Sequence, residues 1–389
     1  MATNKAMVLS ATHGQQPPSR YEPGVKLDIR AHIPPPPFGK WYKNEDTVRH
    51  NVHGLQADDQ IDRLNFALSY PPLETDPPAQ AKSHMLTILK KIHYRQVSVG
   101  GPHVVCCYLD SDESRQYVAK IYDGVDYPLV DYSGCDCMYL ADRDYSCEAA
   151  AYMSMPSLQG SIVPRYFGSW TFSVETGMVS QYRCVRLILL EHVDSECMLD
   201  MILHAKGVTR PTQLATIYNT IPVDYQLLPP EPARLSVVAS IIEAEIALFQ
   251  AGIVLRCLSP RNVMISRSPK RVILIDFNLS LVYKHCEFGR QFLSGRDPME
   301  LPISPIERYW NDIILTEQFG QWIPQTWLMD RNSMLQWLCT RWGGSTEFAP
   351  LSKDFLRRHR DHPLVQGLSS VTAGKTRYNA TSKIKLRLS

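Results

Sequence analysis

No stretch of the 389-residue sequence runs to 18 uncharged apolar residues, about the length that a membrane-spanning helix needs. The most apolar window, 237–255, is interrupted by Glu243 and Glu245 and reads as an amphipathic core helix followed by a strand. Net charge is almost absent: 41 Lys and Arg against 39 Asp and Glu leave +2. No overall field therefore argues for a nucleic acid or a membrane surface as partner. The first residues hold no apolar core of signal-peptide length, and the 10 cysteines lack the paired spacing of a small disulfide framework. Together these absences predict a reducing, intracellular setting, in cytoplasm or nucleus. The Asn379-Ala-Thr sequon is then expected to stay unmodified.

Texture changes along the chain divide it into four parts. Residues 1–84 are rich in proline, including the run Pro34 to Pro37, and are expected to be extended or disordered rather than packed. The run could offer a polyproline II ligand; as a plain linker it would follow the domain surface. One helical turn is expected around 58–67. Residues 85–194 form a β-rich part. A short helix is expected at 85–92, then strands at 94–99, 104–109 and 116–122, a helix at 145–155, and strands at 162–170 and 184–191. Residues 195–365 carry mostly helical signals, with a Pro-rich surface excursion at 211–232 and tryptophans 310, 322, 327, 337 and 342 as core anchors. Residues 366–389 are a basic tail.

Several motifs carry chemistry. Residues 252–265 read Gly-Ile-Val-Leu-Arg-Cys-Leu-Ser-Pro-Arg-Asn-Val-Met-Ile, and 272–280 read Val-Ile-Leu-Ile-Asp-Phe-Asn-Leu-Ser. Lys120 stands in Tyr-Val-Ala-Lys-Ile-Tyr, where strand alternation puts it on the same face as Val118. Glu148, 28 residues on, opens the Ala-rich helical window, where a first-turn dipole role is the plain alternative. Gly100 and Gly101 permit a tight turn that suits either a phosphate or an ordinary hairpin. Cys135, Cys137 and Cys147 invite zinc, but the paired Cys-x-x-Cys spacing is missing.

In this order the motifs resemble a protein kinase. The stretch 255–262 stands where that family has H-R-D-L-x-x-x-N, and Asp276-Phe277-Asn278 stands where it has D-F-G. With its Pro-rich approach, the chain is similar to the divergent kinase-like proteins of filamentous fungi. The resemblance implies an α+β, two-lobed fold with an antiparallel β-rich small lobe and an abbreviated helical large lobe. It implies ATP and magnesium as cofactors: Lys120 on the phosphates, Glu148 as its partner, Gly100 and Gly101 as a reduced phosphate loop. Main-chain groups of Glu191 and Val193 would meet the adenine, and Asn262 and Asp276 would hold the metal. Glu307, in Ser-Pro-Ile-Glu-Arg-Tyr-Trp, would join a structural ion pair. In the Asp276-Phe277-Asn278 turn, Asn278 replaces glycine and would tolerate a positive φ.

Two replacements depart from the pattern. Leu255 stands for the His and Cys257 for the Asp that accepts the substrate proton. A thiol accepts hydrogen bonds weakly and cannot reproduce a carboxylate base, and loss of base assistance costs about 10²- to 10⁴-fold in rate. The expectation is an ATP- and magnesium-binding pseudokinase or scaffold, with a protein partner or protein substrate. An active Ser/Thr-type kinase with a compensating base and a small-molecule phosphotransferase are the alternatives.

Overall fold

The computed structural model describes residues 20–42, 55–56, 59, 61–75, 82–92, 100–176, 181–208, 222–268, 271–286, 289–290 and 300–368. Antiparallel strands dominate the N-terminal half and helices the C-terminal half, an α+β arrangement. Six strands close a barrel: β1 (Lys26–Ala31), β2 (Ser83–Lys91), β3 (His103–Leu109), β4 (Asp112–Tyr122), β5 (Tyr166–Glu175) and β6 (Tyr182–Glu191), in the order β1-β2-β3-β4-β6-β5. Period-two alternation fills its interior with Ile29, Leu86, Ile88, Val105, Cys107, Ala119, Ile121, Trp170, Phe172, Leu187 and Leu189. The opposite face of β4 therefore presents Val118, Lys120 and Tyr122 to the rest of the molecule.

Three expectations are corrected here. The middle of residues 1–84 is packed: β1 pairs with both β2 and β5 and closes the barrel, and Pro35 and Pro37 are buried against the chain's own surface. The expected helix at 85–92 is strand β2. Its sequence suits either state, and pairing on both sides, with Leu86 and Ile88 inside the barrel, decides for the strand. The third concerns α2, which runs Cys137–Ser154, about two turns longer than expected at its start, because Asp136 caps it by accepting from the Met138 and Tyr139 amides at 2.9 and 2.8 Å. The expected helical turn near 58–67 is α1 (Arg63–Ser69), capped by Asp62. The strand expected at 94–99 and the segments 211–221 and 370–389 lie outside the described residues.

Beyond the barrel, β7 (Ser195–Cys197), α3 (Met198–Ala205), α4 (Glu231–Gln250) and β8 (Ile253–Val254) lead to two short strands, β9 (Val263–Ser266) and β10 (Val272–Leu274), then to β11 (Leu281–Val282). These strands pair as β10-β9-β7 and β11-β8. Helices α5 (Pro305–Tyr309), α6 (Ile314–Phe319), α7 (Gln325–Met329), α8 (Arg331–Trp342) and α9 (Lys353–Arg358) follow. Trp310, Trp322, Trp327 and Trp342 are buried in this core and Trp337 packs against it. Glu307 makes no ion pair among the described residues: its carboxylate accepts from the Ser352 amide and hydroxyl at 2.9 and 2.7 Å. The ion pair belongs to its neighbour Arg308, which reaches Glu245 of α4 at 2.6 Å, since this face of α5 turns toward α4. No helix among the described residues is long and apolar enough to cross a membrane.

Candidate functional site

Lys120 leaves β4 on the face away from the barrel interior and meets two carboxylates from distant parts of the chain. Its Nζ donates to Glu148 Oε2 at 2.5 Å and to Asp276 Oδ1 at 2.6 Å. Glu148 is the twelfth residue of α2, fully buried, so the first-turn dipole role is excluded. It also accepts from the Tyr122 hydroxyl at 2.7 Å and from the Phe277 amide at 3.2 Å. Asp276 lies two residues beyond the end of β10, and its side chain is 34% exposed.

Burial acts to lower the Lys120 pKa, but the charges of Asp276 and Glu148 outweigh it and hold the ammonium above its ordinary value. Burial pushes Glu148 up, only partly offset by Lys120. Asp276 feels the same push, yet Lys120 holds it below the usual carboxylate range. The two acids thus differ: Asp276 keeps the charge, and Glu148 is the one that burial and its neighbour Asp276 press toward protonation.

The positive φ expected at Asn278 falls on Asp276 instead, at 69°. The Asn278 side chain donates to Asp144 Oδ2 at 3.2 Å, which anchors the turn to α2. Left-handed backbone at a residue other than glycine stores strain, and it is tolerated here where the neighbours fix it.

Asn262 lies beside this turn, since its carbonyl accepts from the Ile275 amide at 3.0 Å. Its Nδ2 donates to the Cys257 carbonyl at 2.8 Å, leaving Oδ1 as an acceptor. Asn262 Oδ1 and the second Asp276 oxygen are hard donors of the kind magnesium takes. Among the described residues no group of three or more His, Cys, Asp or Glu could hold a metal ion, so such an ion would need phosphate or water oxygens to complete its shell. Cys257 is half-buried, and Arg261 donates to its Sγ at 3.0 Å. That partner was missed from the sequence, although Arg261 follows Cys257 by four residues and precedes Asn262.

Other expected residues fit less directly. Gly100 and Gly101 both have positive φ, but a Cβ on Gly100 would collide with the Pro128 ring, so close packing alone accounts for that glycine. The Glu191 amide donates to the Arg165 carbonyl at 2.9 Å, and the Val193 carbonyl accepts from the Ser195 hydroxyl at 3.0 Å. Cys137 and Cys147 are buried, and Cys135 is half-buried. A pocket of about 560 Å³ opens elsewhere, at a mouth of the barrel between Tyr117, Phe167 and Trp170. Around Lys120 the groups are instead drawn together by their own ion pairs.

No protein-family profile matches the sequence, and no curated protein matches it. Among solved structures the chain is similar to the Cydia pomonella granulovirus kinase PK-1, at 16% identity and a TM-score of 0.30, over 51% of this chain and 52% of that one. It is similar also to the Mycobacterium tuberculosis PknI kinase domain, at 15% identity and a TM-score of 0.30, over 50% and 59%. The chain thus spans little more than half the length of the structures it matches. Likeness of that extent fixes no activity.

Proposed function

We propose that the chain is a kinase-like protein that binds ATP and magnesium in the cleft between barrel and helices and has weak or absent phosphotransfer, acting as a pseudokinase or scaffold toward a protein partner. The observation that carries this reading is the meeting of Lys120, Glu148 and Asp276, residues from β4, α2 and the turn after β10, with Asn262 hydrogen-bonded beside that turn. A lysine held by a buried glutamate can place one positive charge on a phosphate. Asn262 and Asp276 supply oxygen donors for a magnesium ion that would neutralise phosphate charge. Lys120 would exchange its contact with the partly exposed Asp276 for the phosphate while Glu148 keeps its head in place.

Weak transfer follows from Cys257. Its partner Arg261 is a donor only, so that contact adds no base for a substrate hydroxyl. Phosphoryl transfer with a loose transition state depends mainly on positioning and electrostatics, so that loss of the base lowers the rate without abolishing it.

A thermal-shift titration with ATP and magnesium tests the reading. Wild type should be stabilised at millimolar nucleotide, and Lys120→Met and Asp276→Asn should lose that stabilisation. Absence of any shift in the wild type overturns the nucleotide site. In a radiolabelled transfer assay, wild type should show little or no product and Cys257→Asp more; robust wild-type transfer that Asp276→Ala abolishes would overturn the pseudokinase reading and favour an active kinase.

A further inference from the structure

Residues 38–42, upstream of α1, touch α2, the residue before Cys257 and the segment after Asp276. Phe38 is buried and packs edge-on against Tyr139 of α2, and its carbonyl accepts from the Cys147 thiol at 3.6 Å, one residue before Glu148. Gly39 turns the chain at φ 117°, against the Arg143 side chain of α2. Trp41, 50% exposed, lies 5.0 Å from the Arg256 guanidinium, the residue before Cys257. The Tyr42 hydroxyl donates to the Ser280 carbonyl at 3.0 Å and accepts from the Val282 amide at 3.0 Å, just beyond the Asp276 turn.

We propose that residues 38–42 form an intramolecular strap in which Tyr42 is a positioning residue, joining α2 to the segment after Asp276 and so holding Glu148 and Asp276 against Lys120. The proposal rests on the nucleotide-site reading for its functional meaning, but not for its geometry. Two forces work to open the site: like charge on the two carboxylates and left-handed backbone at Asp276. Lys120 opposes them from one side of the cleft, and the strap opposes them from the other. A tyrosine suits the position because one hydroxyl donates and accepts at once. Burial raises the Tyr42 pKa, so the proton needed for the Ser280 bond stays in place.

The test uses the full-length chain with Tyr42→Phe, which removes the hydroxyl and keeps the ring. The Phe277 amide, which donates to Glu148, should exchange with solvent roughly tenfold faster, and maleimide labelling of buried Cys147 should rise by a similar factor. Amides of β6 and labelling of Cys107, buried inside the barrel, should stay at wild-type rates. Faster exchange at Val282 with Phe277 and Cys147 unchanged would overturn the strap and reduce Tyr42 to a local clip. If Tyr42→Phe fails to fold, Trp41→Ala at the exposed position decides by the same readouts, with an expected rise of roughly threefold; no rise there overturns the proposal. Neither readout needs nucleotide. A wild type that ignores ATP would therefore sink the site reading while leaving the strap measured, and a wild type that binds ATP should lose roughly tenfold in affinity on Tyr42→Phe.

Discussion

Lys120 and Asp123 are three residues apart, and each anchors a buried ion pair, but the two pairs are built differently. Asp123 receives both terminal nitrogens of Arg183 at 2.5 and 2.6 Å and the Tyr21 hydroxyl at 2.6 Å, with the side chains of the pair 0 and 4% exposed. A planar fork matches a carboxylate, and the sealed unit ties β6 and the segment before β1 to the end of β4. Lys120 is a point charge shared by two carboxylates, one of them strained and partly open to solvent. A two-point pair closed off from solvent makes a lock, even with Arg183 Nε left unpartnered, whereas a shared charge with one open side leaves a contact that can be exchanged. Burial alone would not have told the two apart.

Mutation can break or sharpen this contrast. The largest effect is expected for Arg183→Leu, a loss of about 3–5 kcal/mol in urea unfolding, because Asp123 would stay buried without its counter-charge. Lys120→Met should lose less, about 2 kcal/mol, because Asp276 can turn to water and Glu148 can take up a proton. An equal loss in both would erase the distinction. Hydroxyl removal probes the same contrast more finely. Tyr21→Phe should cost about 1.5 kcal/mol and Tyr122→Phe about 1 kcal/mol, since Glu148 retains Lys120 and the Phe277 amide. The reverse order would make the cleft pair the tighter one.

The smallest effect concerns Arg186, on the same strand as Arg183 but without a sealed carboxylate: its ion-pair partner Glu74 is 72% exposed. Burial, and then the charge of Arg186, lowers the nearby His32 pKa from 6.5 to about 3. Folded His32 stays neutral where the unfolded chain takes up a proton. Its contribution is therefore present above pH 6.5 and is lost as pH falls toward the folded value. The loss should be at most about 1 kcal/mol between neutral pH and about pH 5.5, allowing for partial exposure. Stability measured against pH should lose that part of its slope in His32→Gln.

Much of the site was legible because its signals are local. Lys120 stood in an alternating strand, Asp276 ended an apolar run, and Asn262 kept its spacing from both Cys257 and Asp276. Helix α4 announced itself by apolar periodicity, although the role of Glu245 as the buried partner of Arg308 did not show. Strand β2 was misread because Ser83–Lys91 acquires its state from β1 and β3 on either side. The start of α2 was missed although Asp136 is a recognisable cap, because the buried Asp142 and Asp144 interrupt the apolar pattern of its first two turns.

What the sequence determined by itself was the set of chemical groups: a strand lysine, a helix glutamate, an Asn and an Asp at a turn, and a thiol five residues before that Asn. Local rules of alternation, capping and turn chemistry suffice for that. What only the tertiary structure decided was their relation. It put the positive φ on Asp276, brought Glu148 deep into α2, closed the barrel with a strand from a Pro-rich segment, and ran Phe38–Tyr42 across the site. Those outcomes depend on contacts between residues as far apart as Tyr42 and Val282, and no local pattern encodes a hydrogen bond whose two ends are chosen by packing.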